Sequence, residues 1–250
     1  MSVQGVMGVL LLCVAAVAAV AAQADILRVE VGVNAWQQDY AGQVQDGADS
    51  LSLQQTLGYD DDSGLSVYFV LEHPVPLLPN VRLQRTELDT SAVKALNAQV
   101  EFDGEVYLVG ADVTSALDLS HTDATLYYEV LDNLVSLDVG LTVRKFDGGI
   151  KLSAAGASSG GDLDDIVPLV YAAARVDLPF TGLYAAVDVN ALSSGDASLV
   201  DYEASLGMEL AMGLGLKLGY RNFDLDYEDD PDEKADVQVS GLFLGAFLSF

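Results

Sequence analysis

Apolar and polar residues alternate along most of the chain in short segments. The last segment, Val237–Phe250, reads VQVSGLFLGAFLSF. It places Leu242, Leu244, Ala246, Leu248 and Phe250 on one parity and Gly241, Phe243, Gly245, Phe247 and Ser249 on the other. Successive side chains of a strand point to opposite faces, so this predicts a strand with one wholly apolar side. The same alternation predicts strands at Ile26–Gln38, Leu65–Glu72, Val81–Asp89, Leu117–Leu131, Leu134–Phe146, Ile166–Asp177, Thr181–Leu192, Leu199–Ala211 and Leu214–Tyr227, ten with the last. A further hairpin, Ala98–Phe102 with Glu105–Val109, is predicted around the tight-turn pair Asp103-Gly104.

The connections alternate between short and long. His73–Asn80, whose three prolines exclude a regular strand, is a turn, and so are Asp132-Asn133, Leu178-Pro179-Phe180 and Met212-Gly213. The other connections are longer, most of them strongly acidic. An even number of one-face-apolar strands with this asymmetry predicts a transmembrane antiparallel up-and-down β-barrel with periplasmic termini and long acidic extracellular loops. Lipid leaves no open edge tolerable, so the last strand is expected to pair with the first. A monomer is expected.

Composition narrows the picture. The chain has 250 residues, 11 basic and 38 acidic, for a formal charge of −27, yet 51% of it is apolar. After residue 25 no charge-free run is long enough for a membrane helix. Residues 1–24 stand apart: Val9–Ala22 is nearly all Leu, Val and Ala, and Ala22-Gln23-Ala24 gives a small-x-small cleavage pattern. This predicts a secretory leader at 1–24, without Lys or Arg in its first part, and a barrel domain at 25–250. A retained anchor is the alternative, for which the apolar run is short. The single cysteine, Cys13, lies in the leader, so no disulfide or cysteine-based metal or redox site is expected afterwards.

On strand after strand one parity carries the charge. It holds Arg28, Glu30, Arg82, Asp123, Glu129, Asp138, Arg144, Arg175, Asp177, Asp188, Glu203, Glu209, Lys217 and Arg221, which includes six of the 11 basic residues. These are expected to face the lumen. Either they pair across it as a structural network that fills the interior, or they form charge rings in a narrow selective pore. Ten strands leave little room for a wide channel. Tyr128, Tyr184, Tyr202, Tyr220, Phe180 and Phe250 lie near strand ends, as interfacial girdles require, although Tyr184 has lumen parity.

Several stretches carry a resemblance. They are Glu72-His73-Pro74-Val75-Pro76-Leu77-Leu78-Pro79-Asn80, Leu119-Ser120-His121-Thr122-Asp123, Tyr127-Tyr128-Glu129-Val130-Leu131-Asp132-Asn133 and Ser136-Leu137-Asp138-Val139-Gly140-Leu141. With the leader and terminal Phe250, the chain resembles a family of proteobacterial outer-membrane β-barrel proteins of unassigned function, over essentially all of its mature length. The resemblance implies a bacterial outer-membrane location. It also implies insertion by the barrel assembly machinery, which reads the last strand and for which Phe250 is the assembly signal. It supplies no catalytic residue.

Candidate chemistry is sparse. His73 sits in the proline turn. His121 lies beside Ser120 and Asp123, but Ser120 and His121 of one strand point to opposite faces and make no nucleophile–base pair without a bulge. A surface hydrolase in which Asp118 or Asp123 with His121 activates water is a second reading. A third is cation binding or adhesion through Asp60-Asp61-Asp62 and the Glu228–Glu233 loop, which lack helix–loop–helix calcium spacing. Divalent cations could bridge these loops to lipopolysaccharide, which with outer-membrane lipid is an expected partner. A chain this acidic, with no basic surface, is not expected to bind nucleic acid. No cofactor is expected. The leading reading is an integral barrel with a structural, narrow porin-like or solute-binding role.

Overall fold

The computed structural model describes residues 27–75, 77–131, 133–154, 156–230 and 232–250, the side chains of 229 and 230 aside. The expected leader lies outside the described residues, as do Ile26, Pro76, Asp132 and Pro231.

Ten strands form a closed antiparallel barrel. They are β1 (Arg28–Asp46), β3 (Asp62–Glu72), β4 (Asn80–Thr86), β9 (His121–Leu131), β10 (Val135–Phe146), β13 (Ile166–Leu178), β14 (Leu183–Ser194), β15 (Ala197–Glu209), β16 (Leu214–Asp230) and β17 (Glu233–Ser249). Each pairs with its neighbour in this order, and β17 returns to β1 with Val31 opposite Leu248 and Trp36 opposite Phe243. The seam ends where Val29 and Phe250 exchange backbone hydrogen bonds of 3.0 and 2.8 Å.

The expected alternation holds around the wall. On β17 Leu242 and Leu244 are about 60% exposed (59% and 62%), whereas Phe243 and Phe247 are 2% exposed. Tyr128, Tyr220, Phe180 and Phe250 are on the outside. Tyr184 is buried in the lumen, as its parity required. Lumen aromatics lie directly across the ladder from glycines: Tyr68 opposite Gly32, Tyr184 opposite Gly207, Phe247 opposite Gly215 and Phe243 opposite Gly219. At Gly207 and Gly215 an added Cβ would meet the facing ring. These pairs let large rings lie flat against the wall of a narrow barrel.

The long connections depart from the sequence-based expectation. The expected strand Leu117–Leu131 breaks at Leu119-Ser120 into β8 (Asp112–Asp118) and β9, and the expected strand to Asp89 stops at Thr86. At the break Ser120 Oγ accepts from the Leu88 N–H at 3.0 Å, tying the two ends together. Beyond it, β5 (Asp89–Ala95), β8, β11 (Gly148–Ala154) and β12 (Ala157–Leu163) form a separate four-stranded sheet. The expected hairpin appears as β6 (Val100–Phe102) and β7 (Glu105–Tyr107). A short strand, β2 (Ser50–Ser52), adds to the extension of β1, followed by a π-helical turn at Leu53–Leu57.

These pieces make a folded cap over the loop end of the barrel. Its core includes Leu51, Leu57, Leu88, Phe102, Leu117 and Leu152, and continues into the mouth through Trp36, Tyr40, Phe146 and Phe223. Loop acidity is confined to the surface. At the rim, hydrogen bonds from Arg85 and Lys145 hold the exposed Asp147 carboxyl below the usual carboxylate range.

Two outcomes are expected. Deleting Phe250 removes the last bonded pair of the seam and lowers the folded fraction, read as loss of heat-modifiable migration on electrophoresis; an unchanged folded fraction would contradict the role given to this end. Gly207→Val displaces the Tyr184 ring and destabilises the barrel by about 1–3 kcal/mol, measured by urea unfolding in micelles.

Candidate functional site

The lumen is the candidate site, and its charges are arranged in layers. Nearest the cap, Arg144 on β10 donates through Nε and Nη2 to both carboxylate oxygens of Asp123 on β9, at 2.8 and 2.7 Å. The same Nη2 reaches Asp201 on β15 at 2.7 Å. Arg221 on β16 grips Asp201 from the other side at 2.9 and 2.7 Å and donates to Thr86 on β4 at 3.3 Å. Because β9 and β10 lie across the barrel from β15 and β16, these bonds span the lumen. Arg221 also approaches Glu203 at 3.7 Å, and Glu203 approaches Lys217 at 4.0 Å. Three cations thus face three carboxylates. Arg144 is 0% exposed, and the Arg221 guanidinium lies 4.8 Å from the Trp36 ring.

One layer down, Arg82 on β4 pairs across the lumen with Asp188 on β14 at 3.2 Å, and Tyr171 donates to the same carboxylate at 3.0 Å. Lys217 sits 4.6 Å from the Tyr68 ring.

At the terminus end the pairs run along the wall instead. Arg28 meets Glu30 at 2.7 Å and Glu72 at 3.3 Å, while Arg175 meets Asp177 and Glu209 at 2.7 Å each and lies 3.7 Å from the Tyr184 ring. Tyr68 donates to Glu30 and Tyr127 to Glu72, at 3.0 and 2.9 Å. Asp138 stands opposite Glu129 beside a register shift in β10, with Glu129 toward the exposed end of β9. The Arg28 and Arg175 pairs stay on the wall, and a cavity of about 100 Å³ remains among Arg28, Asp138, Arg175 and Lys217. The cross-lumen layer above leaves about 20 Å³, room for roughly one water.

The residues expected to face the lumen are therefore placed in two sets. Arg82, Asp123, Arg144, Asp188, Glu203, Lys217 and Arg221 are brought together in and below the crossing layer. Arg28, Glu30, Arg175, Asp177 and Glu209 line the lower wall. Asp201, which joins both arginines, was missing from the sequence-based set, as was Glu72. Asp201 is two residues from Glu203 on the same parity, and that spacing was the available signal.

The histidines lie away from open solvent or serve a turn. His121 is 0% exposed, with Nδ1 2.8 Å from the Leu119 carbonyl oxygen, which makes Nδ1 the protonated nitrogen. Its Nε2 points toward Arg221 at 3.5 Å, and the rings of Phe146 and Phe223 flank it at 5.5 and 5.9 Å. Ser120 Oγ is engaged by the Leu88 N–H, so this cluster presents no accessible nucleophile–base pair. The His73 ring contacts the Pro79 carbonyl at 3.2 Å and holds the proline turn. Asp60, Asp61 and Asp62 are exposed, and Lys234 pairs with Glu228 on the projecting hairpin. Among the described residues no three His, Cys, Asp or Glu side chains form a group able to hold a metal ion.

No protein-family model matches the chain, and no curated protein matches it in sequence. Solved structures with a similar arrangement include Ail, the attachment invasion locus protein of Yersinia pestis, in complex with the heparin analogue sucrose octasulfate. It has a TM-score of 0.39 and 13% identity, over 90% of this chain and 99% of that one. Neisserial surface protein A gives 0.32 and 9%, over 90% and 97%. A Pseudomonas aeruginosa FadL homologue gives 0.36 and 9%, over 90% of each chain. The likeness is one of barrel architecture and carries nothing further to this chain. The chain's own strand pairing makes it a closed ten-stranded antiparallel barrel with an apolar outer belt, the class of outer-membrane β-barrels. A closed barrel of this kind fits an outer-membrane location.

Asp201→Asn leaves two buried guanidiniums short of one negative charge. The expected cost is about 3–5 kcal/mol, read from urea unfolding. Arg85→Ala, which breaks an exposed pair with Asp147, is expected to leave the transition little changed.

Proposed function

We propose that this chain is an integral outer-membrane barrel with a structural role, its lumen closed to ion flow and its folded cap held at the cell surface. The observation that carries this reading is the Arg144–Asp123–Asp201–Arg221 cluster. Its bonds cross the lumen, its members are buried, and the apolar mouth formed by Trp36, Phe146 and Phe223 lies on top of it. A selective pore needs charges that solute can reach and leave. Here the arginines are already bonded to carboxylates, and unpairing them would strand charge in a dry interior.

The same reading assigns residues 1–24 to a cleaved leader and insertion to the barrel assembly machinery. It places the termini in the periplasm and the acidic outer surface of the cap beside lipopolysaccharide, with the barrel as a monomer. The lower lumen, with its cavity of about 100 Å³, is water-filled and ends at the crossing layer. A hydrolase centred on His121 is disfavoured by burial of that ring.

The test is electrical. Purified barrel inserted into planar bilayers is expected to add no steady conductance across the physiological voltage range. Regular single-channel steps from the wild-type protein would overturn the closed-lumen reading and restore a narrow pore.

A further inference from the structure

The cap contains a cleft that the barrel does not need. One wall is the π-helical turn Leu53–Leu57, where the Gly58 N–H bonds to the Leu53 carbonyl and Gly58 takes a left-handed φ of 81°. The opposite wall is the segment from Ala95 to Val100. Between them lies a cavity of about 210 Å³. Its floor is apolar and belongs to the cap core: Leu51 is 1% exposed and Leu96 and Val100 are also buried.

Its rim is polar and nearly uncharged. Gln55, Thr56, Asn97 and Gln99 line it, with Asp49 the single ionisable group. The Asp49 carboxylate accepts from the Glu101 N–H through Oδ2, which leaves Oδ1 uncommitted. The side-chain amides of Gln55, Asn97 and Gln99 make no hydrogen bond to the described protein groups, so each offers a donor and an acceptor side by side.

The walls are fixed before any ligand arrives. Ser52 Oγ accepts from the Gln55 N–H at 3.1 Å, Lys94 donates to the Gln54 carbonyl at 3.0 Å, and Leu96 exchanges backbone bonds with Ala111 and Gly110. A π-turn is rare. Its wider winding accommodates Gln55 and Thr56 on the rim while Leu53 and Leu57 stay in the core.

We infer that this cleft binds a neutral saccharide. Paired amide donors and acceptors above an apolar floor match vicinal hydroxyls above the C–H face of a sugar ring. A formal charge of −27 disfavours polyanions, and one carboxylate does not make a cation site. The volume is below the roughly 300–1,000 Å³ typical of drug-sized ligand pockets, which limits the occupant to about one ring of a longer glycan.

Saturation-transfer NMR on the full barrel tests this, in amine-oxide micelles because such a detergent carries no sugar headgroup. The probes are the methyl glycosides of glucose, galactose, mannose and N-acetylglucosamine, with glucose 6-phosphate as the anionic control. At least one neutral glycoside is expected to receive saturation, and the phosphate none. Binding is expected to weaken about tenfold or more in the Gln55→Ala/Asn97→Ala/Gln99→Ala variant. Ala98→Trp, which fills the cleft, is expected to abolish it, with both variants retaining heat-modifiable migration. No transfer to any neutral glycoside, equal transfer to the phosphate, or binding unmoved in both folded variants would overturn the inference. A barrel that conducts yet binds sugar in this way would remove the closed-lumen reading and leave this one standing.

Discussion

Hydrocarbon offers no partner to an amide, so every N–H and C=O of the spanning segments has to bond to a neighbouring strand. That requirement forces β17 onto β1, and Val29 and Phe250 finish the seam. Closure then dictates the rest. One face of each strand must be apolar, and the other is turned into a space that ten strands make narrow. Charges placed there cannot all reach water. Those shut away from water persist by pairing, which is why Arg144, Asp123, Asp201 and Arg221 bond across the axis and why their numbers balance. Such pairs add little net stability over an apolar filling, but breaking one leaves a charge uncompensated. Their effect is to fix which residues meet and, in the closed-lumen proposal, to block the passage.

The interior also solves a packing problem. Tyr184 against Gly207 and Phe247 against Gly215 show rings lying where the facing strand has no side chain. These glycines give the facing rings the space to lie against the wall, although near the mouth Trp36 and Phe243 pair directly. The same rings approach cations: Arg175 rests on Tyr184 and Lys217 beside Tyr68 and Phe243. Charge and aromatic filling are one structure rather than two.

Period-two alternation made the ten strands, their order and their inward faces legible, because lipid enforces it on every spanning segment. It was blind where lipid does not reach. The connection after Thr86 was legible as acidic, with one hairpin marked by Asp103-Gly104. The cap sheet was not, because β5, β8, β11 and β12 are short and bury scattered residues such as Val113, Leu117 and Leu152 against other loops. Parity put Arg144 and Arg221 in the lumen, but it cannot say which residue lies across the axis. Pairing through Asp201 depends on barrel shear, which has no local trace. The cleft beside the π-turn is likewise built from segments about 40 residues apart, Gln55 and Asn97 among them.

A lumen closed between the cap and the lower cavity keeps a reagent on the loop side from reaching the terminus side. The only cysteine of the chain is Cys13, so in a Cys13→Ser background an introduced thiol reports alone. Ala186→Cys places one in the lower lumen, and Ala98→Cys places a control on the cap. In oriented proteoliposomes, a membrane-impermeant thiol reagent added at the loop face is predicted to modify the cysteine at 98 and leave that at 186 untouched. Modification of the cysteine at 186 from the loop face at a comparable rate would contradict the closed barrel.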